Sequence, residues 1–308
     1  MLCSVVIPTI GRDTLTRALT SVLEGGLPET DYEVIIVNDA GVPLEIASQL
    51  PANVTVLNTC RMGVCVACNS GAAAACGKYL KFLHDDDYLL PGGLASLVQA
   101  AESGDAVLVV GGQRVVSDDG SLLLTIEKPG LAGNTSALWA VGEVLVMSQC
   151  LIRREAFAAV GGFDPLIRIS EDRDLIYRLS MVGATVSADR VVACIRVACG
   201  PGSAFASDNT ADNIAKWSRR VRERAFDAPG ALPRLRDSVQ ANPFLRGRLC
   251  RNYVYSAVLN VIDRRFLVAV ARLTSALGIA GFHLFQISFW RGVFYHPPWA
   301  AQPARGAA

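Results

Sequence analysis

Two short acidic stretches hold the residues of this chain best suited to chemistry: FLHDDDYLLP at 82–91 and SEDRDLIYRL at 170–179. Three adjacent carboxylates behind an apolar run repel one another unless a cation neutralises them. Mg²⁺ or Mn²⁺ fits such a group, because these hard ions take one or two carboxylates together with phosphate oxygens and water. An ion held there would stabilise a diphosphate leaving group. A helix cap needs only one acid, a part that Asp87 fills if the other two serve the ion. The Glu171–Asp172 pair opens a helical pattern. It has two readings that spacing alone leaves level: a general base with its neighbour, or acids that complement a helix N-terminus. Cys60, Cys65, Cys68 and Cys76 form a third cluster, with CxxC spacing at 65–68. No second CxxC accompanies it, and the histidines are His84, His283 and His296. The cluster therefore reads as small apolar filling of a helix face rather than as a zinc or redox centre.

The elements that must carry these residues are legible from hydrophobic periodicity. Residues 1–110 alternate β-branched runs with helical patterns: CSVVIPT, then a helix near Thr14–Leu23; YEVIIVND, then LEIASQL; NVTVLNT, then VCVACNSGAAAAC; KYLKFL, then a helix after Pro91; and DAVLVVGG. Continuous apolar strands separated by helices predict a doubly wound parallel sheet covered on both faces. In such sheets ligands bind beyond the carboxyl ends of the strands, where Pro8, Thr9, Asn38, Asp39 and Asp85–Asp87 fall. Neither GxGxxG after the first strand nor GxxxxGK[ST] is present, so a dinucleotide dehydrogenase and a P-loop NTPase are poor fits. Further on, residues 117–129 read as a hairpin turning at DDG. GEVLVMSQCLIRREAF reads as a strand feeding a helix, and GGFDP as a loop. EDRDLIYRLSMV reads as a helix stopped by Gly183, and TVSADRVVACIRVAC as β structure. This gives a unit over 1–227, with a nucleotide-binding half (1–110) and an acceptor half (111–227). APGALP is then a linker into a helical region over 228–308.

Length and charge bound the partners. The 308 residues suffice for one large α/β domain with an appendage, and 29 basic against 28 acidic residues give no argument for nucleic acid. Nine cysteines and an N-terminus that runs straight into a strand predict a cytoplasmic protein. Between Phe244 and His296 there are seven arginines and a single acid, Asp263. Within that region FLVAVARLTSALGIAGFHLFQISFW (266–290) is long enough to span a bilayer, but a central arginine costs roughly 2.5–3.5 kcal/mol there. Three readings stay open: peripheral contact with the membrane surface, packing on its own domain or a second subunit, and a true span.

IPTIGR, VIIVNDAG, GVCVACNSG, FLHDDDYLLPGGL, GGFDP and EDRDLIYRL, in that order over about residues 1–205, resemble the successive motifs of family 2 glycosyltransferases. The resemblance implies a GT-A type, mostly parallel α/β sheet. It also implies an inverting enzyme that moves a sugar from a nucleotide-diphosphate donor to an acceptor hydroxyl. By that resemblance Pro8, Thr9 and Asp39 line the nucleoside pocket, with Asp39 accepting from the base. Asp85 and Asp86 serve ribose and metal, Asp86 in direct contact. Asp172 is the base and Glu171 positions acceptor. Gly162, Phe163 and Asp164 border the acceptor cleft, with Phe163 equally placed to belong to the core, and Trp139 either stacks on a sugar or sits in the core. The implied cofactor is Mg²⁺ or Mn²⁺. The implied acceptor is a carbohydrate or lipid-linked intermediate of cell envelope polysaccharide assembly, reached from the cytoplasmic face. The chain departs from the family pattern in three places. His84 replaces a further aspartate, Cys68 stands where an arginine is usual before Asn69, and the region after Arg196 lacks the usual late histidine, none occurring between His84 and His283, so that Cys199 is the nearest substitute. These departures motivate a second reading, a catalytically silent sugar-nucleotide-binding or membrane-scaffold protein. A third, a sugar-phosphate nucleotidyltransferase, would want a basic glycine-rich N-terminal loop, for which IPTIGRDT supplies only Arg12.

Overall fold

Uninterrupted β-branched runs become strands buried on both faces, because neither face is left for polar side chains to reach water. The computed structural model describes residues 1–44, 50–127, 130–142, 145–196 and 211–295. It divides into two compact units at Arg222, ahead of the expected boundary at Asp227; the second gathers the segment from Ser136 with the helices from Glu223 on.

In the first unit, β1 (Cys3–Thr9) is buried along its whole length and pairs in parallel with β2 (Tyr32–Asn38) and β4 (Tyr79–Phe82). β2 in turn pairs in parallel with β3 (Val54–Asn58). The sheet then continues in the order β3-β2-β1-β4-β9-β6-β10-β5, where β5 is Tyr88–Leu89, β6 Ala106–Val116, β9 Cys150–Arg153 and β10 Ala184–Arg196. The long ladder between β6 and β10 is parallel, whereas β9 runs antiparallel between β4 and β6. The expected hairpin forms as β6 and β7 (Leu122–Ile126), and β8 (Ala132–Gly133) joins β10. β9 is the insertion that sequence order does not show, and it lays its preceding turn directly against β4. Around the sheet lie α1 (Leu15–Leu23), α2 (Val64–Ala74), α3 (Gly93–Glu102), α5 (Arg154–Ala159) and α6 (Glu171–Val182). The expected helix over LEIASQL falls largely outside the described residues.

α2 approaches β1 closely because its inner face is made of small side chains. Ala67 and Cys68 are buried, and a Cβ at Gly71 would stand 2.4 Å from Val6 Cγ1. Burial pushes the Cys65 thiol up to about 12 and that of Cys68 well above its ordinary value, so both sulfurs stay protonated. Cys65 and Cys68 are therefore packing residues.

The second unit contains α4 (Ser136–Ala140), the end of α7 (Ala211–Asp227), α8 (Ala231–Ser238), α9 (Pro243–Ile262), α10 (Phe266–Ala280) and α11 (Ile287–Val293). The stretch expected as a linker thus runs into α8. α9 and α11 cross at glycines: a Cβ at Gly247 would meet Phe289 O at 2.0 Å, and one at Gly292 would meet Phe244 O at 1.9 Å.

Gly71→Ala is expected to destabilise the fold by about 1–3 kcal/mol despite its better helix propensity, because overpacking against Val6 dominates. Gly104→Ala, where a Cβ meets nothing within 4 Å, should stay within about 0.5 kcal/mol. Urea unfolding followed by circular dichroism compares the two; equal midpoints would contradict the close approach of α2.

Candidate active site

The carboxyl ends of β1, β2 and β4 bring three acidic positions to one edge of the sheet, and each has a different local fate. Asp39, just past β2, is buried and accepts from Thr59 Oγ1 (2.7 Å), Met62 N (2.8 Å) and Gly63 N (2.8 Å). Burial alone would raise its pKa, but these hydrogen bonds together hold it below the ordinary aspartate value. Asp39 is thus a fixed anion with acceptor capacity left on Oδ2. Pro8 lies within β1 in register with Val37. Thr9 ends the strand, accepting from Gly11 N and donating to Asp85 Oδ2 at 2.6 Å.

Asp85 does not join the acidic group that its neighbours form. It is buried, and its second oxygen is taken by the Arg12 guanidinium, so both oxygens are engaged on the side of β1. Asp86 is partly exposed, 3.9 Å from Arg12, and its carbonyl accepts from Arg17. Asp87 turns into the protein. It accepts from Ser148 Oγ and from Arg196 N (2.9 Å), and α3 begins instead at Gly92, whose left-handed backbone starts the helix. The expectation that Asp87 caps a helix is therefore corrected: its partners are 61 and 109 residues away. The donor atoms that do converge are those of His84, Asp86 and Asp87, all within 4.8 Å of one another.

α6 delivers the second acidic pair to the same place. Its start at Ser170 adopts a left-handed conformation (φ 69°), and Glu171 and Asp172 follow in the first turn. Asp172 Oδ2 accepts from Met147 N at 3.1 Å, while Oδ1 is buried without a hydrogen-bond partner among the described residues. Burial raises the pKa of Asp172; His84 and the Met147 amide oppose the rise without cancelling it. Burial and the charge of Asp172 push Glu171 up to about 7, and burial pushes Asp87 up to about 6. Burial would lower His84, but Asp172, Asp87, Asp86 and Glu171 outweigh it and raise its pKa. The imidazole therefore lies in the field of four carboxylates from two distant segments.

One turn joins the two groups, and sequence reasoning missed it. Residues Met147–Gln149 form a 3-10 turn before β9. Met147 N holds Asp172, while Ser148 Oγ holds Asp87 and accepts from His84 N at 3.3 Å. The three carbonyls of Met147, Ser148 and Cys150 all accept from Lys81 Nζ, which is wholly buried in β4. Burial lowers the Lys81 pKa to about 8, which leaves the ammonium charged at neutral pH. The available signal was a lysine inside the apolar run KYLKFL; Ser148 had none.

The GGFDP loop is held by Asn69 of α2. Its side-chain amide donates to Phe163 O (2.8 Å) and accepts from Phe163 N (2.9 Å). Gly162 has φ 65°, and a Cβ there would meet Asn69 Oδ1 at 2.6 Å. Of the two readings of Phe163 the structure has the core: it is buried in an aromatic cluster with Phe82 and Phe157 at 5.1 and 5.8 Å. Asp164 accepts from Leu166 N and so shapes the loop. Trp139 is buried in α4, which decides its alternative in favour of the core. Cys199 lies outside the described residues.

Known proteins share this arrangement of elements. The family model for Glycosyl transferase family 2 matches residues 4–161. An uncharacterized glycosyltransferase of Haemophilus influenzae is 26% identical over 183 residues, 57% of this chain and 61% of the relative. Another, from Nostoc sp., is 26% identical over 215 residues, 66% of each. The chain thus spans less than two thirds of either relative. Among solved structures, S. aureus TarS 1-349 has a TM-score of 0.59 at 14% identity, covering 96% of this chain and 93% of that one. The same protein in complex with UDP-GlcNAc has a TM-score of 0.60 at 14% identity, with the same coverage. At that identity the likeness shows the fold, a mostly parallel α/β sheet of GT-A type with C-terminal helices. With the family model spanning just over half of its length, the chain belongs to glycosyl transferase family 2.

Proposed function

We propose that the chain is an inverting glycosyltransferase that moves a sugar from a nucleotide-diphosphate donor to an acceptor hydroxyl. The observation that carries this reading is the convergence of His84, Asp86 and Asp87 with Glu171 and Asp172, whose Oδ1 is buried and unpartnered. The TarS complexes with UDP-GlcNAc and UDP make a uridine-diphosphate sugar the first donor to test. Asp39 accepts from the base through the free capacity of Oδ2, beside Pro8 and Thr9. Asp85 acts indirectly, by fixing Arg12 and Thr9 at the edge.

The donor set of His84, Asp86 and Asp87 fits a hard divalent ion, Mg²⁺ or Mn²⁺, since carboxylate oxygens dominate and their mutual repulsion calls for a cation. Asp86, the more exposed, faces the ligand, and Asp87 is held by Ser148 and Arg196. Such an ion, when bound, neutralises charge on the diphosphate. The chain's own residues do the rest. Asp172 Oδ1 takes the proton of the attacking hydroxyl, and its raised pKa brings it nearer to neutral pH, where a base is most effective. Met147 N fixes the orientation of Asp172, and Glu171 lies beside it to position acceptor. Asp164 and the Gly162 turn border the acceptor side. The acceptor is a carbohydrate or lipid-linked intermediate of envelope polysaccharide assembly, met on the cytoplasmic face of a membrane that the protein contacts peripherally.

Asp172→Asn should retain donor affinity by calorimetry while release of UDP from a UDP-sugar falls at least about 100-fold; surviving transfer would remove Asp172 from the role of base. A second expectation follows from the raised carboxyl groups. Glu171 and Asp87 are raised in the folded state, so their contribution to stability is full below about pH 4 and is lost as pH rises through about 6 to 7. A cation that competes with those protons should raise Tm more at pH 7.5 than at pH 5. Thermal unfolding with and without Mn²⁺ tests this, and Asp86→Ala should abolish the increment. A shift that is equal at both pH values, or unchanged in Asp86→Ala, counts against the metal site.

A further inference from the structure

Among the described residues the helical unit leaves an apolar face uncovered. Along α10, Leu267, Val270 and Leu277 are exposed at helical spacing, and the face continues through Phe282, Phe285 and Ile287; Leu267, Phe282 and Phe285 are 88%, 91% and 88% accessible. The segment Phe266–Phe285 is long and apolar enough to cross a membrane by length and composition, with only 28% of its most apolar window buried.

Arg272, the charge inside that segment, does not lie on this face. It is 6% exposed and turned toward α7 and α9, where it donates to Asp227 Oδ1 (2.6 Å), Ser256 Oγ (3.3 Å) and Phe226 O (3.3 Å) and lies 3.4 Å from Glu223 Oε2. Glu223 also accepts from Ser256 and Asn260. A spanning α10 would have to carry this ionic group into hydrocarbon or break it, and either is costly. The helix also gives way to a 3-10 turn at Gly281. On the outer side the hydroxyls of Thr274 and Ser275 are satisfied by the carbonyls of Val270 and Ala271. The exposed surface is therefore apolar, and the arginine of the segment is turned away from it. Arg264 and Arg265 at the α9–α10 turn and Arg291 in α11 are exposed and form no ion pair among the described residues.

We infer that this face is a docking surface for a bilayer carrying anionic lipid, with the apolar side chains at the headgroup–acyl boundary and Arg264, Arg265 and Arg291 among the headgroups. Charge decides the occupant. In a symmetric dimer the same arginines would recur on both copies with only Asp263 as an acid in the region, whereas an anionic surface complements them. The inference deepens the peripheral contact proposed above and is independent of the transfer chemistry, because vesicle binding is read without donor.

Co-sedimentation of the full chain with phosphatidylcholine vesicles, with and without phosphatidylglycerol, tests it. Binding to the mixed vesicles is expected to exceed binding to phosphatidylcholine alone. Arg264→Gln with Arg265→Gln should lower binding roughly tenfold or more at low salt, an effect that fades as salt rises. Leu267→Glu with Phe282→Glu should remove binding while circular dichroism and calorimetric donor affinity stay at wild-type values. Wild-type protein left in the supernatant with anionic vesicles overturns the inference. So does a dimer by light scattering that the Leu267→Glu, Phe282→Glu variant converts to monomer.

Discussion

A single buried ammonium organises the catalytic unit. Lys81 occupies the interior of β4 and gathers the carbonyls of Met147, Ser148 and Cys150 around its charge. Three convergent carbonyl dipoles would repel one another in an apolar interior, and the ammonium makes their convergence favourable. The turn so fixed offers its other groups outward, an amide to Asp172 and a hydroxyl to Asp87. β9 then leaves the turn directly into its place between β4 and β6. Placement of both acidic groups therefore depends on an interaction one layer beneath them.

Above that layer the governing effect is burial of charge. Asp87, Glu171 and Asp172 share one region, and burial raises the cost of keeping all three ionised. Burial therefore raises the carboxyl pKa values of Asp87, Glu171 and Asp172, His84 opposes that rise, and the surrounding carboxylates raise the pKa of His84 in turn. Asp85 is held by Arg12 and Thr9, and Asp39 by the Thr59 hydroxyl and the amides of Met62 and Gly63. Similar aspartates at one sheet edge thus differ in chemistry because their counter-donors differ.

Much of this was legible in the sequence. The parallel strands announced themselves as apolar runs, the α6 pattern ended at Gly183 as its residues dictate, and both acidic stretches reached one site because strand ends and helix starts are local properties. What was not legible is what depends on contacts far apart in sequence. Asp87 resembles a cap until Ser148 and Arg196 are seen on it, and Phe163 resembles a cleft residue until Phe82 and Phe157 enclose it. Which of three adjacent aspartates stays accessible depends on their separate partners, Arg12 for Asp85 and Ser148 for Asp87, and not on composition. Arg272 was visible as an anomaly within an apolar segment, but its partners Glu223 and Asp227 lie on another helix.

Arg272 has a bearing on biogenesis that its fold position alone does not suggest. A nascent chain is read linearly, and during synthesis the 266–285 segment presents a central arginine that weighs against its transfer into a bilayer. Glu223 and Asp227 precede it in the chain and are already made when it emerges. Once the helices close, those acids withdraw the arginine and the outer face loses its charge. The same residue is therefore a charge within the apolar segment while the chain is linear and lies away from the exposed apolar face when it is folded.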